Sequence, residues 1–131
     1  MTIALSLDAP REVRHSLEAQ YVGSMERSLL DDLTLLASEV VTNAVQHSGR
    51  PHGDPIEVQT TVVDGVLRME VTDRGVGVHE LEARSIKPPS GLGYVEILSD
   101  RWSSRINSSF QVWFEIDVVS RDTLYRAPVT R

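Results

Sequence analysis

Cysteine is absent from this chain of 131 residues, which excludes disulfides and thiolate metal sites and is compatible with a reducing compartment. No stretch approaches the roughly 20 consecutive apolar residues of a membrane span. The opening MTIALSLDAP also lacks the basic leader and long apolar block of an export signal. The expectation is a cytoplasmic protein with no membrane partner. Positive charge is scarce: 13 Lys and Arg stand against 19 Asp and Glu, a net charge of −6. Phosphate backbones are held by clustered cations and the basic residues here are scattered, so no direct nucleic-acid partner is expected. His15, His47, His52 and His79 show no metal-ligand spacing, and no Ser stands in a Gly-x-Ser-x-Gly elbow. There is no internal repeat and no low-complexity stretch.

What is present is the composition of a single globular domain, 40% apolar and 24% charged. Residues 3–7 alternate as a short strand, and Asp8-Ala9-Pro10 opens a helix that runs to about Tyr21. Its apolar positions Val13, Leu17 and Val22 are sparse, which predicts a surface helix or one resting on a partner. A stronger helix follows, with Leu29, Leu33, Leu36, Val40 and Ala44 at helical spacing until Ser48-Gly49 and Pro51. Residues 56–63 and 66–72 alternate around Asp64-Gly65, a favoured hairpin turn. Residues 74–90 are rich in Gly, Pro and charge. A short helix over 91–98 leads into a second hairpin, 101–106 and 110–118, turning at Asn107-Ser108 and carrying Trp102, Trp113 and Phe114 as expected core residues. The order β-α-α-β-β-loop-α-β-β predicts an α/β (α+β) two-layer sandwich, a mainly antiparallel, mixed sheet with three helices on one face. The domain is expected over residues 1–119, with a polar, flexible tail over 120–131.

Three short motifs lie along this frame. Glu39, Asn43 and His47, each four residues from the last, climb one stripe of the second helix and drift by about 40° per step. Such a stripe is ordinarily a solvated face, but an Asn oxygen there can also bind a hard cation and a Glu can act as a base. Asp73 ends a strand and precedes Gly75 and Gly77. It can accept a hydrogen bond from an exocyclic amine, or simply bond its own backbone in a turn. Gly91, Leu92 and Gly93 open the third helix, where backbone N–H groups and the helix dipole attract phosphate. A flexible helix start accounts for them equally well. No Gly-Lys-Ser/Thr follows, so this is not a P-loop.

Taken together and in this order, the motifs resemble the N, G1 and G2 boxes of the GHKL ATP-binding superfamily, which includes gyrase, histidine kinases and MutL. The runs LLASEVVTNAVQHS, LRMEVTDRGVGV, GLGYVEILSDRW and VWFEI are similar to those of stand-alone bacterial anti-sigma factor serine/threonine kinases of the SpoIIAB and RsbW type and their actinobacterial relatives. The likeness covers about residues 3–118. It implies the Bergerat ATP-binding fold, ATP and Mg²⁺ as cofactors, Glu39 as general base and Asn43 as Mg²⁺ ligand, with His47 on the same nucleotide-facing stripe. It implies further that Asp73 takes the adenine amino group, that Gly75 and Gly77 shape the adenine side, and that Gly91, Leu92 and Gly93 cover the phosphates. Residues 74–90 would then be a short lid. Many relatives carry a Thr just before the VWFE run, where it helps to read adenine; Gln111 stands there instead, with an amide that can donate and accept. Tyr94 replaces a commoner Leu.

The activity so implied is an ATP-dependent serine/threonine protein kinase that phosphorylates a small anti-sigma factor antagonist and sequesters a sigma factor, with homodimerisation. The alternative is a non-catalytic ATP-dependent binding module in a regulatory partner switch. With no phospho-acceptor or transducer domain in the sequence, neither a self-contained histidine kinase nor a gyrase-like machine is expected.

Overall fold

The computed structural model describes residues 1–75 and 91–118. The expected lid residues from 76 to 90, Gly77 among them, and the tail from 119 lie outside the described residues. Along the chain run β1 (Thr2–Ala4), α1 (Ala9–Tyr21), α2 (Arg27–His47), β2 (Pro55–Val63), β3 (Val66–Asp73), α3 (Gly91–Leu98), β4 (Arg101–Ile106) and β5 (Phe110–Asp117). The strands form one sheet in the order β1-β2-β3-β5-β4, and every pairing is antiparallel.

Local chemistry explains most boundaries. β1 is shorter than the alternation of residues 3–7 predicts, although the Leu5 amide still donates to the Asp54 carbonyl at 2.8 Å. The Ser6 hydroxyl then accepts from the Asp8 amide and turns the chain into α1, with Pro10 in the first turn. The Glu26 carboxylate caps α2 by accepting from the Leu29 amide. At the far end Gly49 takes φ +68°, just beyond His47 and Ser48. Asp64 (φ +52°) and Gly65 (φ +76°) make the tight turn between β2 and β3, the geometry that matches the twist of the strands it joins.

Strand alternation divides the sheet into two unlike faces. Ile56, Val58, Leu67, Met69, Val71, Phe110, Val112, Phe114 and Ile116 are buried and belong to one core with Leu30, Leu33, Leu36 and Val40 of α2. The sparse stripe of α1 suffices to join it. Ala9, Val13 and Leu17 are fully buried, and Arg27 at the start of α2 holds Glu18 of α1 at 2.5 Å. Val22 is left exposed. Among the described residues the opposite face has no helical layer. There Arg68 lies 4.2 Å above the ring of Trp113 and reaches Glu70 and Glu115, each at 3.0 Å. Arg101 holds the other oxygen of Glu115 at 2.7 Å and also pairs with Asp117. The hydrogen bond from Arg101, helped by one from Arg68, outweighs partial burial and holds the Glu115 carboxyl below its ordinary value. The expectation that all three hairpin aromatics pack in the core is therefore corrected: Phe114 does, Trp102 is partly buried against it, and Trp113 lies on the polar face. Period two decides this, because Trp113 is one residue out of step with Val112 and Phe114.

Candidate functional site

The 21 residues of α2 extend about 31 Å, and the helix packs against β3 and α3 as well as α1. Its apolar positions fix its rotation, so the stripe carrying Glu39, Asn43 and His47 lies along the margin of the core. Glu39 and His47 are half-buried, whereas Asn43 is only 3% exposed. No described side chain or backbone group hydrogen-bonds the Asn43 amide side chain. An unsatisfied buried amide is destabilising by about 1–3 kcal/mol, and such groups in native proteins commonly mark a ligand, ion or water. The Glu39 carboxylate likewise makes no hydrogen bond or ion pair with a described residue. Among the described residues no three His, Cys, Asp or Glu side chains cluster to hold a metal. A cation at Asn43 would need most of its oxygens from a bound phosphate group and water, as Mg²⁺ prefers. A buried amide oxygen with no partner among the described residues, one helical turn from a half-buried carboxylate, fits that group.

Asp73 ends β3 on the helix-facing side and is 5% exposed. One carboxylate oxygen accepts from the Gly75 amide at 2.7 Å. The turn geometry is compatible with a binding role, since the backbone bond orients the carboxylate. A cleft of about 490 Å³ opens at this end of the sheet and includes Asp73, Arg50, Arg74 and Ser108. It reaches neither Glu39 nor Asn43, and it lies mostly on the side of Thr72 and Glu57.

Gly91, Leu92 and Gly93 begin α3, which packs against α2. The Leu92 side chain is fully buried in the core. Gln111 requires a correction. The β3–β5 register pairs Asp73 with Phe110 and Thr72 with Gln111. Gln111 therefore points to the polar face, donates to the Thr72 hydroxyl at 3.3 Å and accepts from Arg105 at 2.9 Å. The side chain beside Asp73 is Phe110, a residue the motif reading passed over. The signal was present: Phe110, Val112, Phe114 and Ile116 form the apolar alternation of β5, and Gln111 belongs to the polar set.

A family model described as a histidine kinase-like ATPase domain matches residues 3–103. The anti-sigma F factor of Clostridium acetobutylicum is 30% identical over 66 residues, 49% of this chain and 46% of that protein, so the match spans about half the length of that relative. A solved structure of RsbU and RsbW domains from Mycobacterium tuberculosis aligns with 90% of this chain and 32% of its own, at TM-score 0.71 and 22% identity. A blue-light activated histidine kinase of Erythrobacter litoralis aligns with 91% of this chain and 47% of its own, at TM-score 0.56 and 20% identity. At these identities the two structures share the fold. Among the described residues no helix is long and apolar enough to cross a membrane.

Proposed function

The chain belongs to the histidine kinase-like ATPase domain family, and from that premise we propose that it is an ATP-dependent serine/threonine protein kinase of the anti-sigma type. Its acceptor would be a small antagonist protein, and its other partner a sigma factor that it sequesters. The likeness of half its length to an anti-sigma F factor supports the partner class. The observation that carries the chemistry is the buried Asn43 amide, which has no partner among the described residues, one helical turn beyond the half-buried Glu39.

In this reading Asp73 accepts a hydrogen bond from the adenine amine, with Gly75 holding its orientation. The backbone at the start of α3 lies over the phosphates, where N–H groups and the helix dipole favour anions. Asn43 would supply an amide oxygen to Mg²⁺, whose charge would offset that of the phosphates. The acceptor hydroxyl attacks the γ-phosphorus, the bond from that phosphorus to the β,γ-bridging oxygen breaks, and ADP leaves. The hydroxyl proton passes to Glu39, which is accessible enough to receive it and close enough to the core to be fixed by α2.

Incubation with Mg²⁺, labelled ATP and a cognate antagonist should give phosphorylated antagonist. Glu39→Ala should lower the transfer rate by about 10²-fold or more, in the range of a lost general base, while leaving ADP affinity within about threefold. Undiminished transfer by that variant rules out Glu39 as the base. A second reading, an ATP-dependent binding module that transfers nothing, draws support from one observation: no described group orients the Glu39 carboxylate, as the partner of a general base usually does. Tight, nucleotide-dependent capture of the antagonist with no labelled product would select it.

A further inference from the structure

The register of β3 on β5 sets a phenyl ring, not an amide, beside the base-reading carboxylate. Directly opposed residues of an antiparallel pair share a face with Cβ atoms about 4.5–5.5 Å apart. Asp73 and Phe110 are such a pair, both on the helix side and exposed by only 5% and 1%. The two groups offer opposite chemistry. A carboxylate oxygen accepts, so a ligand group that bonds it must be a donor. A phenyl side chain has no N–H, O–H or lone pair to offer. Ring atoms of a base that lie next to the amine held by Asp73 therefore meet an apolar wall.

We propose that Phe110 is a specificity-determining residue of the base pocket, making recognition depend on the exocyclic amine at Asp73 and leaving the adjacent ring nitrogen unread. This rests on the nucleotide-binding reading above and goes beyond it by assigning which atoms of the base are sensed. Two consequences follow from the chemistry. A base with a carbonyl in place of the amine sets an acceptor against the Asp73 carboxylate and is rejected. A base that keeps the amine but carries C–H in place of the neighbouring ring nitrogen loses nothing at a phenyl wall, and is accepted. The wall can be altered separately from the carboxylate, because Asp73 is oriented by the Gly75 amide.

Calorimetric titration of the full chain with ADP, 1-deaza-ADP and inosine diphosphate, all with Mg²⁺, tests this. The wild-type protein should bind 1-deaza-ADP within about threefold of ADP and inosine diphosphate at least about tenfold more weakly, one hydrogen bond to a charged group being worth that much or more. Phe110→Thr, which places a hydroxyl at the wall, should create a preference of about tenfold for ADP over 1-deaza-ADP. Phe110→Leu, which keeps the wall apolar, should leave the ratio near one. A wild-type preference of tenfold for ADP over 1-deaza-ADP overturns the proposal. So does an unchanged ratio in a folded Phe110→Thr protein, foldedness being read from its thermal transition. If that variant does not fold, the wild-type and Phe110→Leu ratios decide. A wild-type protein that binds ADP but fails these ratios loses only the role of Phe110. One that binds none of the three loses the nucleotide reading itself.

Discussion

The two faces of β3 and β5 are made by the same residues in alternation, yet they solve opposite problems. The inner face removes Leu67, Met69, Val71, Val112, Phe114 and Ile116 from water and admits one carboxylate, Asp73, at its end. The outer face keeps Arg68, Glu70, Trp113 and Glu115 partly in solvent and joins them by ion pairs and a stacked guanidinium. Burial on the first is close-packed, so a lost methylene leaves a void. Pairing on the second is in contact with water and screened by it. The contrast shows where function can be placed. A buried carboxylate is costly unless it is hydrogen-bonded; Asp73 is held by the Gly75 amide, whereas the charges outside stay in contact with water.

Three substitutions test the contrast, beginning with the largest effect. Met69→Ala on the inner face should lower unfolding free energy by about 2–5 kcal/mol in urea titration, the range for a large side chain removed from a packed core. A loss below about 1 kcal/mol would mean that this face collapses around the gap. Glu115→Gln on the outer face should cost about 1 kcal/mol or less at pH 7. Its folded pKa lies below the ordinary 4.5 because Arg101 and Arg68 bond the ionised form, so its contribution is complete above that value and lost as pH falls through the lower, folded one. Parallel stability measurements on wild type and variant should therefore converge on acidification; a difference that persists there would assign the effect to packing. Gln111→Ala is expected to do least, shifting stability by about 0.5 kcal/mol as an exposed hydrogen bond does. Because Gln111 is on the outer face, ADP affinity should stay within about twofold. A tenfold loss would put its side chain back in the pocket.

Local pattern made much of this legible. Helical spacing of leucines gave α2, the Asp64-Gly65 pair gave the first hairpin, and alternation gave the faces of β3 and β5. Glu39, Asn43 and His47 could be set on one stripe because a helix has a fixed pitch. That Asn43 would be buried with no partner among the described residues was not legible, since it depends on how α2 packs against β3 and α3. The side of Gln111 was misjudged for a related reason. Likeness to a motif placed it near adenine, while its own alternation with Phe110 and Val112 pointed it outward. The sparse α1 shows the same limit of local pattern: three buried side chains, Ala9, Val13 and Leu17, lock it to α2, which composition alone reads as a weakly apolar surface helix.

The pairing that joins the two hairpins has a kinetic meaning. Within each hairpin the strands are neighbours in sequence, but Thr72 and Gln111 are bonded across 39 residues. Bringing such distant segments together carries the larger loop-closure entropy and is the slower kind of event. The wall between Asp73 and Phe110 exists only after that closure. A chain with both hairpins formed but not yet zipped lacks the Asp73–Phe110 pair, so a ligand of the proposed pocket, which needs both residues, binds the completed sheet alone. By mass action such a ligand raises the stability of the entire sheet, and its arrival reports that the chain has finished folding.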